Sequence, residues 1–222
     1  MKHLLNLSLF LVTGLLIVSS CKKEKEEDPD LPKPPEMGGI VINGVRWATC
    51  NVDMPGTFAA HPEDAGMFYQ WNRKVGWSSA NPLVNSDGGT TWDNTYPPVP
   101  QDKIWAQEND PCPPGWRVPT LEELRSLEKA KHYYDELNGV SGRFFGDNNK
   151  RLFLPAVGNR DAIAGALLLV KDGYYWGSTV NPQTFNAHVM GFDSTKLWIG
   201  SDKRIYALCV RCVAAENTSA HR

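Results

Sequence analysis

What the chain leaves out narrows its chemistry first. Its 222 residues hold no His-Glu-x-x-His pair, no Gly-x-Ser-x-Gly elbow, no phosphate-binding P-loop and no dinucleotide-binding glycine fingerprint. The common short signatures of zinc proteases, serine hydrolases, nucleotidases and dehydrogenases are therefore missing. There is no basic excess: 23 Lys and Arg against 25 Asp and Glu give a net charge of -2, so no electrostatic footprint for nucleic acid exists. Histidines stand singly, and Cys209-Val210-Arg211-Cys212 is an isolated C-x-x-C, so a zinc site lacks its second half. Neither a metal nor a cofactor is expected. Helix-periodic stretches are few. The single long apolar run, residues 4–20, is slightly short for a membrane span and is broken by Asn6, Thr13 and Gly14.

That run makes better sense as a leader. Lys2 and His3 precede it, and Ser19-Ser20 close it immediately before Cys21, the parts of a secretory signal. A cysteine directly after two small residues resembles the bacterial lipobox. The expectation is that residues 1–20 are removed and that Cys21 becomes a diacylated N-terminus, its lipid the partner of a membrane. Residues 21–37 are dominated by charge and proline, cannot bury enough surface to fold, and are expected to form an extended tether. Acidic residues soon after the lipidated cysteine resemble the surface-export signal of Bacteroidetes lipoproteins. The implied location is the outer membrane, facing either the cell surface or the periplasm.

A folded domain is predicted over residues 38–214, with a polar tail at 215–222. Two short strands flank Asn43-Gly44, a strong hairpin signal. Residues 55–111 carry repeated turn formers between scattered rings (Phe68, Tyr69, Trp71, Trp77, Trp92), which predicts long loops anchored by aromatics. One helix is specified at about 120–131: Thr120 with Glu123 forms a capping box, and Leu121, Leu124 and Leu127 share a face. Alternating runs at 151–156, 173–178, 187–193, 197–200 and 205–213 predict strands. One helix among many short strands is an α+β fold.

Setting Cys21 aside, the five cysteines leave Cys50, Cys112, Cys209 and Cys212. Export to an oxidising compartment suggests that such an even set forms disulfides. On one strand Cys209 and Cys212 would have Cα atoms ~10 Å apart, beyond the ~7 Å that a disulfide spans. Each must then pair elsewhere, and two connectivities remain open.

Longer motifs carry a family resemblance. Trp47-Ala48-Thr49-Cys50-Asn51-Val52 is followed by Pro62-Glu63-Asp64-Ala65-Gly66-Met67-Phe68-Tyr69-Gln70-Trp71. Next come Cys112-Pro113-Pro114-Gly115-Trp116-Arg117-Val118-Pro119-Thr120-Leu121 and Phe153-Leu154-Pro155-Ala156-Val157-Gly158-Asn159-Arg160. Gly173-Tyr174-Tyr175-Trp176-Gly177-Ser178-Thr179 and Cys209-Val210-Arg211-Cys212-Val213 complete the series. In this order the chain resembles the Fibrobacter succinogenes major paralogous domain family over roughly residues 40–213. The resemblance implies a fold similar to C-type lectins and formylglycine-generating enzymes. It also favours Cys112–Cys212, which leaves Cys50 with Cys209. The reactive cysteine pair of the formylglycine-generating enzymes has no counterpart left over, and the calcium-binding loops of the lectins are absent. A non-catalytic recognition or adhesion module for a glycan or protein ligand is therefore expected. An enzyme of the formylglycine-generating type and a structural envelope or fimbria-associated subunit are the alternatives. The resemblance places the ligand face in the C-terminal part, with Trp176, Ser178, His188, Trp198, Lys203 and Tyr206 as candidates; Trp176 and Tyr206 read equally well as core rings.

Overall fold

The computed structural model describes residues 38–147, 150–168, 171–181 and 185–215. The leader, Cys21, the tether up to residue 37 and the tail from residue 216 lie outside them. In chain order the elements are β1 (Ile40–Ile42), β2 (Val45–Trp47), β3 (Phe68–Gln70), β4 (Gly76–Trp77), β5 (Trp116–Arg117), α1 (Leu121–Glu128), β6 (His132–Leu137) and β7 (Val140–Phe145). They continue with β8 (Leu152–Pro155), β9 (Asn159–Arg160), β10 (Leu167–Leu168), β11 (Gly173–Val180), β12 (Asn186–Phe192), β13 (Leu197–Lys203), β14 (Ala207–Leu208) and β15 (Val213–Ala214). Small antiparallel sheets and one α-helix among the described residues make the domain α+β.

The local signals explain most of these elements. Asn43 (φ 49°) and Gly44 (φ 84°) form the turn between β1 and β2, the left-handed pair that a two-residue hairpin requires. The Thr120 side chain accepts from the Glu123 backbone N–H, and the Glu123 carboxylate accepts from the Thr120 N–H at 2.7 Å, closing the capping box. Leu124 and Leu127 are the buried face of α1. The helix stops at Glu128, short of the expected 131, because His132-Tyr133-Tyr134 pairs as a strand with β7. A second Asn-Gly turn, Asn138 (φ 49°) and Gly139 (φ 83°), reverses the chain there.

The first and last strands meet in a four-stranded sheet ordered β1-β2-β15-β5. The expected strand over 205–213 is instead divided. β14 pairs with β3 and β9 in one sheet, and β15 pairs with β2 and β5 in another. Between them the chain crosses the interior, where Val210 and Cys212 carbonyls accept from the Val52 and Ala48 N–H groups. Rings fill that interior. Of the eight tryptophans, Trp92 and Trp198 alone are not buried.

The disulfide Cys112–Cys212 is present, with Cα atoms 6.1 Å apart and 100 residues between them in sequence. Cys50 and Cys209 do not pair; both are buried free thiols, which corrects the expected second disulfide. Arg211 does the joining instead. Its guanidinium is 1% exposed and donates to Asn51 Oδ1 and to the carbonyls of Thr49 and Phe153 at 2.7–3.0 Å. The Cys50 segment is thus tied to the C-terminal crossing by a guanidinium fork.

Candidate functional site

The three-stranded sheet β11-β12-β13 separates the expected ligand residues onto two faces. Across its register Tyr174, Gly191 and Trp198 form one row, Trp176, Val189 and Gly200 the next, and Val180, Ala187 and Asp202 a third. Alternation puts these three rows on one face. The intervening rows, His188 with Ser201 and Asn186 with Lys203, point the other way. His188 and Lys203 therefore cannot share a ligand surface with Trp198. On their side of the sheet Met190 and Phe192 pack in the same core cluster as Leu124 and Leu127 of α1.

Burial removes two more candidates. Trp176 is 0% exposed and its indole N–H donates to the Tyr69 carbonyl at 2.7 Å, so it is a core ring. Ser178 is buried as well, and its backbone is held between Pro119 and Trp105. Both are corrections to the expected ligand face. The physical reason is that this sheet face is roofed by Trp71, Tyr69 and Leu208 near its centre.

Trp198 and Tyr206 remain half-buried along the margin where that roof ends. Trp198 makes an edge-on contact with Tyr174 at 6.3 Å between ring centroids, and the Lys196 ammonium lies 5.0 Å from the Trp198 ring. Sequence reasoning missed Tyr174 and also Asp202, Phe185, Tyr96 and Arg204, which complete this margin. Asp202 follows Trp198 and Gly200 at alternate positions on β13. Beyond β13 the Arg204 N–H donates to the Phe185 carbonyl at 3.0 Å, which continues the register and brings Phe185 alongside. Phe185 is 62% exposed and contacts Tyr96 edge-on at 5.1 Å. The Arg204 guanidinium stacks between Tyr96 at 5.6 Å and the buried Trp71 at 5.4 Å.

Carboxylates accompany the Lys196 and Arg204 cations on this margin. Burial raises the Asp202 carboxyl above its ordinary range, against the opposing Lys203 N–H and ammonium. Tyr174 is pushed up to about 12, first by burial and then by the charge and hydrogen bond of Asp172, with Asp202 and Asp193 adding to it. Tyr206 is raised by burial and by Asp202, Asp161 and Tyr96. Both phenols are therefore protonated donors at neutral pH. Asp202 lies close enough to influence both of them, and Tyr206 in turn feels Tyr96. Along β13 the margin runs from Tyr174 and Trp198 past Asp202 to Arg204, where Tyr96 and Phe185 meet, with Tyr206 within electrostatic reach of Asp202 and Tyr96. It can stack rings and exchange hydrogen bonds.

The buried thiols offer no better reaction centre. Burial drives Cys209 up to about 12, despite the nearby Arg211 charge and a hydrogen bond with Tyr175, the opposite of what a thiolate nucleophile needs. Among the described residues no cluster of three or more His, Cys, Asp or Glu side chains could hold a metal ion. No helix among them is long and apolar enough to cross a membrane.

Comparisons of the chain with family models, with curated proteins and with solved structures find no match.

Proposed function

We propose that this protein is a lipid-anchored recognition module, lectin-like in fold and related to the Fibrobacter succinogenes major paralogous domain family. Cys21 holds it to the outer membrane, and the β13 margin holds its ligand, a glycan or a protein. The observation that carries the reading is the strip itself. Trp198 is one of two tryptophans not withdrawn into the core, and it lies beside a phenol donor, with a carboxylate acceptor further along the same strand face. Rings with a polar rim are the chemistry of binding surfaces. The raised Cys209 thiol weighs against the enzyme alternative.

The test is an array of glycans and peptides probed with the detergent-solubilised full chain and with its Trp198→Ala variant. Binding that the variant loses while keeping its fold supports the reading. Unfolding of Trp198→Ala would class the indole as core and remove this strip from consideration. Metabolic labelling with a fatty acid, lost in Cys21→Ala, tests the anchor. Protease shaving of intact cells separates a surface-facing from a periplasm-facing domain.

A further inference from the structure

The strip has a length and a chemical order that narrow its ligand. Trp198 and Arg204 are six positions apart along β13 and its continuation, which places the two aromatic ends roughly 20 Å from each other. One end is Trp198 with Tyr174, and the other is Phe185 with Tyr96. Between them on β13 stands Asp202, a carboxylate acceptor, with the Tyr206 phenol within its electrostatic reach. At the far end a groove of about 710 Å³ opens beside Tyr96, lined also by Asn72, Asn109 and Pro98.

We propose that this strip binds a neutral oligosaccharide chain lengthwise, with Tyr96 and Phe185 as a distal subsite that adds to the contacts made at Trp198. The inference rests on the recognition reading above and commits it to one ligand class. Three observations favour a glycan. Ring faces stack against the C–H faces of sugars, while carboxylate and phenol groups beside them exchange hydrogen bonds with sugar hydroxyls. Asp172 stands beside Tyr174, and Asp202 and Asp161 act on Tyr206, whereas the cations of the margin are engaged. Lys196 is held by the Trp198 ring and Asp193, Arg204 is buried between Tyr96 and Trp71, and Arg73 of the far groove pairs with Asp93, so uronic or sulfated sugars would meet the carboxylates first. A protein interface needs an apolar centre of packed side chains. Here Tyr96 and Phe185 are the strip's share of the exposed large apolar residues; Val41, Met54, Ile104, Ile163 and Leu168 belong to other segments.

The experiment is affinity electrophoresis of the full chain through gels containing mannan, xylan, α-glucan or β-glucan, with polygalacturonate as the acidic polymer. Oligomers of the retarding polymer, from one to six sugars, are then titrated. The expected result is retardation by a neutral polymer, not by polygalacturonate, and affinity that climbs with oligomer length. Phe185→Ala is well suited as the decisive variant because its ring is exposed. It should weaken the hexasaccharide roughly fivefold to tenfold, the loss of one stacked ring, and leave the disaccharide unchanged. Trp198→Ala should weaken every length. Equal affinity for short and long oligomers, or a silent Phe185→Ala, overturns the extended site. Failure of every neutral polymer, with Trp198-dependent binding to arrayed peptides, overturns the glycan and keeps recognition. No Trp198-dependent binding to either class overturns both.

Discussion

Trp198 lies across Gly191: a side-chain carbon added at Gly191 would stand 2.4 Å from Cε2 and Cζ2 of the indole. The glycine is the seat on which the ring rests, in the same cross-strand row. Gly191→Ala should lift the indole away from Tyr174 at an overpacking cost of about 1–3 kcal/mol. Its tryptophan emission should shift to the red and ligand affinity should fall. Unchanged emission and unchanged affinity would mean that the ring's seating is irrelevant.

A second expectation concerns Arg211. Its nearest titratable neighbours are Tyr175, Cys50 and Cys209, so no carboxylate compensates the buried charge; burial lowers its own pKa below the ordinary range. Its Nη2 has no hydrogen-bond partner. Arg211→Ala strips partners from Asn51 and from the Thr49 and Phe153 carbonyls together. Three buried acceptors left unpaired and the cavity of the deleted side chain should together cost about 3–5 kcal/mol in denaturant unfolding. A loss under 1 kcal/mol would show that the guanidinium is not the clasp.

The thiol inventory is equally specific. A Cys21→Ala chain, unfolded without reductant, should titrate two thiols, from Cys50 and Cys209, and almost none while folded. Zero thiols on unfolding would restore the second disulfide. Cys112→Ser should cost about 2–5 kcal/mol, since the bond closes a loop of 100 residues.

Glu123 sets an acid limit. Burial favours its protonated form, but bidentate Arg117 and the Thr120 N–H and hydroxyl outweigh burial and hold its carboxyl below the ordinary value of 4.5. Because the folded value is the lower one, the ionised group stabilises the fold above pH 4.5, and that contribution disappears as pH falls through the folded value. The melting temperature of Glu123→Gln should therefore lie below that of the parent at pH 7 and approach it as pH drops below 4. Thr120→Ala should cost about 1 kcal/mol at pH 7 by removing the cap, and less below pH 4, where its hydroxyl no longer faces a carboxylate.

Local chemistry made part of this molecule legible. Thr120 and Glu123 identified α1, and Asn43-Gly44 identified the first hairpin, because caps and primed turns depend on residues a few positions apart. Asn138-Gly139 carries the same signal, yet the expected helix ran to about 131, up to the edge of the β6 strand that the turn reverses. Pairing with β7, a tertiary effect, decided the matter. The split of 205–213 into two strands in different sheets left no periodic trace, since Cys209 to Cys212 are all apolar or buried. The aromatic strip was half visible: Trp198, Gly200 and Asp202 alternate along β13, which marks one face. Its other half comes from Tyr96 and Phe185, which only the folded chain brings together.

The covalent link between Cys112 and Cys212 also determines how the domain carries mechanical load. Tension entering at Gly38 passes through the β1–β2 hairpin to the bond between the Ala48 N–H and the Cys212 carbonyl. Cys212 is stapled to Cys112, so peeling can proceed through the first part of the chain and then halts at a closed ring. β13 with Trp198 and Asp202, and Phe185 beside its end, lie inside that ring, whereas Tyr96 precedes it. A ligand pulling on the strip would thus be resisted by sulfur rather than by hydrogen bonds alone, and the grip would outlast the loss of the first hairpin.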